Sequence, residues 1–135
     1  MLKLPSLGEL DQGMAVRIYL CVQPTDMRRG FDTLAACVKE FLRHDPFSGN
    51  LFLFVSRGKD RMKILYWERD GYCLWYKRLE QGAFKLPALQ DVRASVELKA
   101  SELAMLLEGI DLKSIRRSKR FSRPAMTAGL AAAGV

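Results

Sequence analysis

Cations and aromatics dominate the residues with chemical potential in this chain, and two of their groupings are ordered. The stretches Arg61-Met62-Lys63-Ile64-Leu65-Tyr66-Trp67-Glu68-Arg69 and Tyr72-Cys73-Leu74-Trp75-Tyr76-Lys77-Arg78 read as the two arms of a hairpin. Side chains alternate between the faces of a strand, so Arg61, Lys63, Trp67 and Arg69 share one face with Tyr76 and Arg78. Guanidinium and ammonium groups meet phosphate oxygens and aromatic rings stack on bases, so this face has the composition of a nucleic-acid platform. Cross-strand aromatic pairs also stabilise any hairpin, which gives the same residues a purely structural use. The second grouping is Lys113, Arg116, Arg117, Lys119, Arg120 and Arg123, with no acid after Asp111. A third, smaller one is the adjacent pair Arg28 and Arg29. They suit a phosphate or an acidic partner surface, or ion pairing with Asp26 or Asp32.

Other chemistries find little support. Cys21, Cys37 and Cys73 are odd in number, far apart and flanked by apolar residues, as expected of buried, reduced thiols. A zinc site wants four ligands with close paired spacing, and His44 is the only histidine. The same scarcity leaves Ser-His-Asp and Cys-His nucleophile schemes without a base unless His44 serves. His44 precedes Asp45-Pro46 and reads as a satisfied helix-end residue. The acids have local positions, Asp45 and Asp70 in turns and Asp26 near a helix start, and no spacing pairs them around a metal. We therefore expect no metal, no cofactor and no catalytic constellation.

The charge balance localises the electrostatics. The chain has 135 residues and a formal charge of +7, from 22 Lys and Arg against 15 Asp and Glu. Six of those cations lie between positions 113 and 123; the other sixteen face all fifteen acids, leaving residues 1–112 at +1. A basic tail on a nearly neutral body points to an appended contact with a polyanion. Apolar residues at 49% and charged residues at 27% are ordinary for a globular domain. No apolar run reaches the ~18–20 residues that span a bilayer, and Met1-Leu2-Lys3-Leu4-Pro5 lacks the apolar core of a secretory signal. The expectation is a cytoplasmic protein with no membrane contact.

These side chains need a scaffold, and the pattern supplies one. Val16-Arg17-Ile18-Tyr19-Leu20 predicts a first strand. Phe31, Leu34, Ala35, Val38, Phe41 and Leu42 recur at helical spacing, predicting a helix over 26–43 that buries Phe31, Leu34, Val38 and Leu42. The apolar run Leu51-Phe52-Leu53-Phe54-Val55 predicts a strand covered on both faces. Strands over 62–68 and 72–79 follow, joined by a two-residue turn at Asp70-Gly71. That turn places Arg69 opposite Tyr72, Trp67 opposite Leu74, Leu65 opposite Tyr76 and Lys63 opposite Arg78. Of the two hairpin faces, the one with Met62, Ile64, Tyr66, Cys73, Trp75 and Leu79 is the more apolar and is predicted to face the core. A short strand near 95–98 and a helix over 101–108, ended by Gly109, complete the order β-α-β-β-β-(β)-α. This is an α+β fold: a small, mainly antiparallel sheet packed by helix on one side. The division is a lead-in over 1–14, one domain over 15–112 and a flexible tail over 113–135.

Five ordered blocks resemble a known family. They are Pro24-Thr25-Asp26-Met27-Arg28-Arg29-Gly30-Phe31-Asp32, Asp45-Pro46-Phe47-Ser48-Gly49, Asp60-Arg61-Met62-Lys63-Ile64-Leu65-Tyr66-Trp67, Asp70-Gly71-Tyr72-Cys73-Leu74-Trp75-Tyr76-Lys77-Arg78-Leu79-Glu80 and Glu102-Leu103-Ala104-Met105-Leu106-Leu107-Glu108-Gly109-Ile110-Asp111. Over residues 16–120 the chain resembles the accessory protein of insertion sequence 66 transposons, often called TnpB or Orf2-like. The resemblance implies a role in transposition beside a separate, larger transposase, and it carries no catalytic residues. Lys99 stands where the family often has Ser or Thr before the last helix, which weakens the N-cap there. Family and charge together predict a non-enzymatic accessory factor that binds DNA and helps assemble or target the transposase complex. The alternative is a protein–protein adaptor for the transposase without DNA binding of its own.

Overall fold

A run of five buried residues, Leu51–Val55, forms the central strand of the sheet and dictates the rest of the architecture. The computed structural model describes residues 16–88 and 93–109. In chain order the elements are β1 (Ile18–Cys21), α1 (Phe31–Glu40), β2 (Leu51–Val55), β3 (Arg61–Glu68), β4 (Gly71–Arg78), β5 (Ser95–Leu98) and α2 (Ala100–Leu107). They build one five-stranded sheet in the order β4-β3-β2-β1-β5. Among the described residues, only β1 and β2 pair in parallel, with α1 as their crossover; the other three pairings are antiparallel. The α+β class and the element order are as expected.

The layering differs from expectation. Helices cover both faces of the sheet rather than one. Alternation along β2 sends Leu51, Leu53 and Val55 to one face, where they meet Leu103 and Leu106 of α2 together with Met62, Ile64 and Tyr66. Phe52 and Phe54 point the other way, into a second core with Leu34, Ala35 and Val38 of α1 and with Leu65 of β3. The physical reason lies in β2 itself. A strand with large apolar groups at every position exposes one set to water unless both faces are roofed. The hairpin face with Ile64 is core, as predicted. The opposite face is core as well where α1 crosses it, so Leu65 is fully buried.

Two local expectations are corrected. The first helix begins at Phe31 rather than near Asp26. Residues 26–29 make a turn instead: the Arg28 N–H donates to Asp26 Oδ1 at 2.9 Å and the Arg29 N–H to the Asp26 carbonyl at 3.1 Å. Asp26 engages its own neighbours before a helix can start. Gly30 then takes the N-cap position, and its N–H donates to Thr33 Oγ1 at 3.1 Å. Phe31, on the rim of that first turn, is 48% exposed rather than buried. Leu34, Val38 and Leu42 are buried as predicted.

The second correction concerns the hairpin register. Glu68 pairs with Gly71, so the two turn residues are Arg69 and Asp70. Arg69, with φ of 56°, supplies the left-handed backbone, whereas Gly71 does not use its freedom. Every cross-strand partner moves by two residues: Trp67 faces Tyr72, Leu65 faces Leu74, Lys63 faces Tyr76 and Arg61 faces Arg78. A shift by an even number preserves the faces, so the grouping of side chains survives although each pair changes.

At the far end, Gly109 follows α2 with φ of 82°, the left-handed stop expected there. Lys99 is the N-cap of α2 and its side chain makes no capping bond. Glu102 compensates in part, accepting the Lys99 N–H at 2.7 Å. The lead-in over 1–14 and the tail over 113–135, with Lys113, Arg116, Arg117, Lys119, Arg120 and Arg123, lie outside the described residues.

Candidate nucleic-acid interface

Lys63 organises the cationic face, and it does so from inside. It is 7% exposed, in the middle of β3. Its Nζ donates to the carbonyl oxygens of Met27 and Arg29, each at 2.7 Å, and lies 4.7 Å from the ring centroid of Tyr76. A buried ammonium needs partners to offset lost hydration, and two carbonyl dipoles plus a ring face supply them. Lys63 therefore holds the turn that precedes α1 against the sheet instead of presenting its charge to solvent.

That anchoring brings separate sequence blocks together. The Arg28–Arg29 turn lies over the Lys63–Tyr76 row of the hairpin, and the next row on the same face is Arg61–Arg78. Arg28, Arg29, Arg61 and Arg78 are all exposed, and Tyr76, among them, is 48% exposed. Two of these cations are locally balanced. Arg28 pairs with Asp26 at 2.7 Å, and this guanidinium holds the Asp26 carboxyl well below the usual carboxylate range. Arg78 pairs with Glu80 at 3.0 Å. Exposed pairs of this kind hold weakly and can exchange for a phosphate.

Trp67 and Arg69 stand at the opposite end of the hairpin. Trp67 is half-buried, edge-on to Phe47 at 4.9 Å and to Tyr72 at 5.0 Å between ring centroids. Phe47 and Tyr72 stack at 5.7 Å, and Phe47 remains 58% exposed. Burial pushes the Tyr72 phenol up from its ordinary value. The predicted face thus divides into a cationic end around Tyr76 and an aromatic end around Trp67, with the Leu65–Leu74 row between them.

The sequence pattern gave no hint of one feature. Cys21 and Cys37 do not lie apart in the core: they line one open cleft of about 580 Å³ beside α1. A spacing of sixteen residues carries no signal for such a pair. His44 behaves as expected of a helix-end residue: its ring stacks on Tyr19 at 4.0 Å between centroids, and its backbone N–H donates to the Val38 carbonyl. Among the described residues, no group of three or more His, Cys, Asp or Glu gathers to hold a metal, and no helix is long and apolar enough to cross a membrane.

A family model described as IS66 Orf2-like protein matches residues 16–117, which spans the whole sheet and both helices. The chain belongs to the IS66 Orf2-like family. Two relatives from Sinorhizobium fredii agree with that placement. The uncharacterized protein y4hO is 37% identical over 102 residues, covering 76% of this chain and 87% of its own. The uncharacterized protein y4jC is 34% identical over 113 residues, covering 84% of this chain and 94% of its own. No solved structure matches the chain. Membership in the IS66 Orf2-like family gives the chain a transposition-associated accessory role.

Proposed function

We propose that this family member is a non-enzymatic, DNA-contacting factor that works in the cytoplasm beside the element's transposase. The observation that supports this most directly is the exposed cluster of Arg28, Arg29, Arg61 and Arg78 around Tyr76, assembled by the Lys63 anchor. Four cations flanking an exposed ring suit the phosphate backbone and an unstacked base. The basic run from Lys113 to Arg123 adds six further cations to the same chain. In this reading the tail supplies most of the salt-dependent affinity and the cationic end of the sheet sets the orientation.

The test is a salt series on transposon-end DNA, comparing the full chain with a truncation ending at Leu112. Contact by all six tail cations would contribute about 5 to the slope of log K against log salt, at ~0.9 per phosphate. Partial contact is expected, with a loss of roughly 2–4 on truncation. Equal slopes for the full and truncated chains refute the tail's part and leave Arg28, Arg29, Arg61 and Arg78 to carry the binding. The adaptor reading draws on the exposed Phe31, Phe41 and Phe47, three large apolar side chains open to a protein partner. It predicts no mobility shift by either chain alone and a shift once transposase is added.

A further inference from the structure

Cys21 closes β1 and Cys37 sits on α1, and the fold packs both into the core between that helix and the sheet, where they line the same cleft. The two are placed unequally. Cys21 is buried, with its Sγ 3.6 Å from the Gln23 carbonyl oxygen that it bonds. Cys37 is half-exposed, and both open on the 580 Å³ cleft, whose charged lining residues are Asp26, Arg29 and Glu40. The third thiol, Cys73, packs with the core on the opposite side of the sheet and bonds Glu68 at 3.7 Å. An accessible thiol backed by a buried one, in a cleft of small-molecule size, is an arrangement the cationic face does not use.

We propose that Cys21 and Cys37 form a redox-active dithiol that takes low-molecular-weight disulfides as its oxidising substrate and closes to an intramolecular disulfide joining β1 to α1. The Cys37 thiolate attacks one sulfur of the substrate R–S–S–R. That S–S bond breaks, a mixed disulfide forms on Cys37, and the departing thiolate takes a proton from water. Cys21 then releases its proton to solvent and attacks the Cys37 Sγ, expelling the second thiolate, which is also protonated. The protein loses two hydrogens and the substrate becomes two thiols; a thiol reductant reverses both steps. The division of labour follows the environment. The neighbouring Cys21 thiol and the Arg29 guanidinium lower Cys37 to about 7, whereas the same pairing and burial push Cys21 up. The outer sulfur is the nucleophile and the inner one resolves.

The test uses the full chain, reduced, then equilibrated at pH 7.5 with graded mixtures of glutathione and glutathione disulfide. Acid quenching, alkylation and peptide mapping read the products. The expected product is a Cys21–Cys37 disulfide with Cys73 still free, and Cys37 should react roughly tenfold faster than Cys73. Cys21→Ser should accumulate glutathione on Cys37, and Cys37→Ser should form neither product. Cys21→Ala, with a circular-dichroism melt, serves if the serine variant fails to fold. If both variants unfold, the parent's peptide map decides alone. Glutathionylation of Cys73 at the rate of Cys37, a native disulfide that includes Cys73, or no Cys21–Cys37 bond at any ratio overturns the proposal.

Discussion

The ammonium nitrogen of Lys63 lies 2.7 Å from the carbonyl oxygen of Arg29, which ties the centre of strand β3 to the turn ahead of helix α1. The same nitrogen reaches Met27, thirty-six residues away in sequence. This contact carries no sequence-local logic, yet it sets where Arg28 and Arg29 stand.

Replacing Lys63 with Met keeps the volume and removes the donor, leaving two carbonyl groups without it. The expected cost is about 2–3 kcal/mol of unfolding free energy, read by urea denaturation. Lys63→Arg should cost less because it keeps a cationic donor. A loss below about 0.5 kcal/mol for Lys63→Met would show that the turn stays seated without the lysine.

The hairpin turn offers a gain. Arg69 holds a φ of 56°, a left-handed conformation that favours glycine. Arg69→Gly should therefore stabilise the protein by about 0.5–1 kcal/mol, since relief of the side-chain clash outweighs the added freedom of the unfolded chain. Thermal denaturation checks it. A drop in melting temperature would mean that the arginine side chain contributes more than its backbone costs.

Helix α2 starts with half of a capping box. Lys99→Ser should add the missing side-chain acceptor and raise stability by about 0.5–1 kcal/mol. Glu102→Ala should remove the existing half, the 2.7 Å bond to the Lys99 N–H, and lower stability by a similar amount. Amide exchange across the first turn of α2 separates local fraying from a global effect.

Alkylation should distinguish the thiols by pH. Cys37 titrates near 7, so its rate with iodoacetamide should rise about tenfold per pH unit below that value and level off above it. Burial pushes Cys73 up from its ordinary value, so its rate should keep climbing beyond pH 9. The sign follows from the thiolate being the reactive form: lowering a thiol's pKa moves its reactive window to lower pH. Identical profiles for the two residues would contradict the pairing of Cys37 with Cys21.

What was legible in the sequence was what depends on neighbours in the chain. Alternation, β-branched and aromatic content and one continuous apolar run placed the strands within a few residues, and helical spacing found both helices. The even shift in hairpin register left each side chain on its predicted face, because faces depend on parity alone. Ends were harder. Asp26 has the residue type of a cap, yet its carboxylate turned to the N–H and guanidinium of Arg28, and the helix waited for Gly30. Asp70-Gly71 has the composition of a turn, yet the strand pairing set the turn one residue earlier.

Sequence by itself determined the element order, the apolar central strand, the separation of a nearly neutral body from a basic tail, and the ordered blocks shared with the IS66 Orf2-like family. Each is written in residues close together or in composition, where local sterics and solvation act directly. Tertiary structure alone decided which helix roofs which face, that Lys63 turns inward to Met27 and Arg29, that Arg61 and Arg78 stand beside the Arg28–Arg29 turn, and that Cys21 and Cys37 line one cleft. Those outcomes depend on burying both faces of β2 at once. That requirement fixes α1 across the sheet from α2, and distant side chains meet wherever the two layers close.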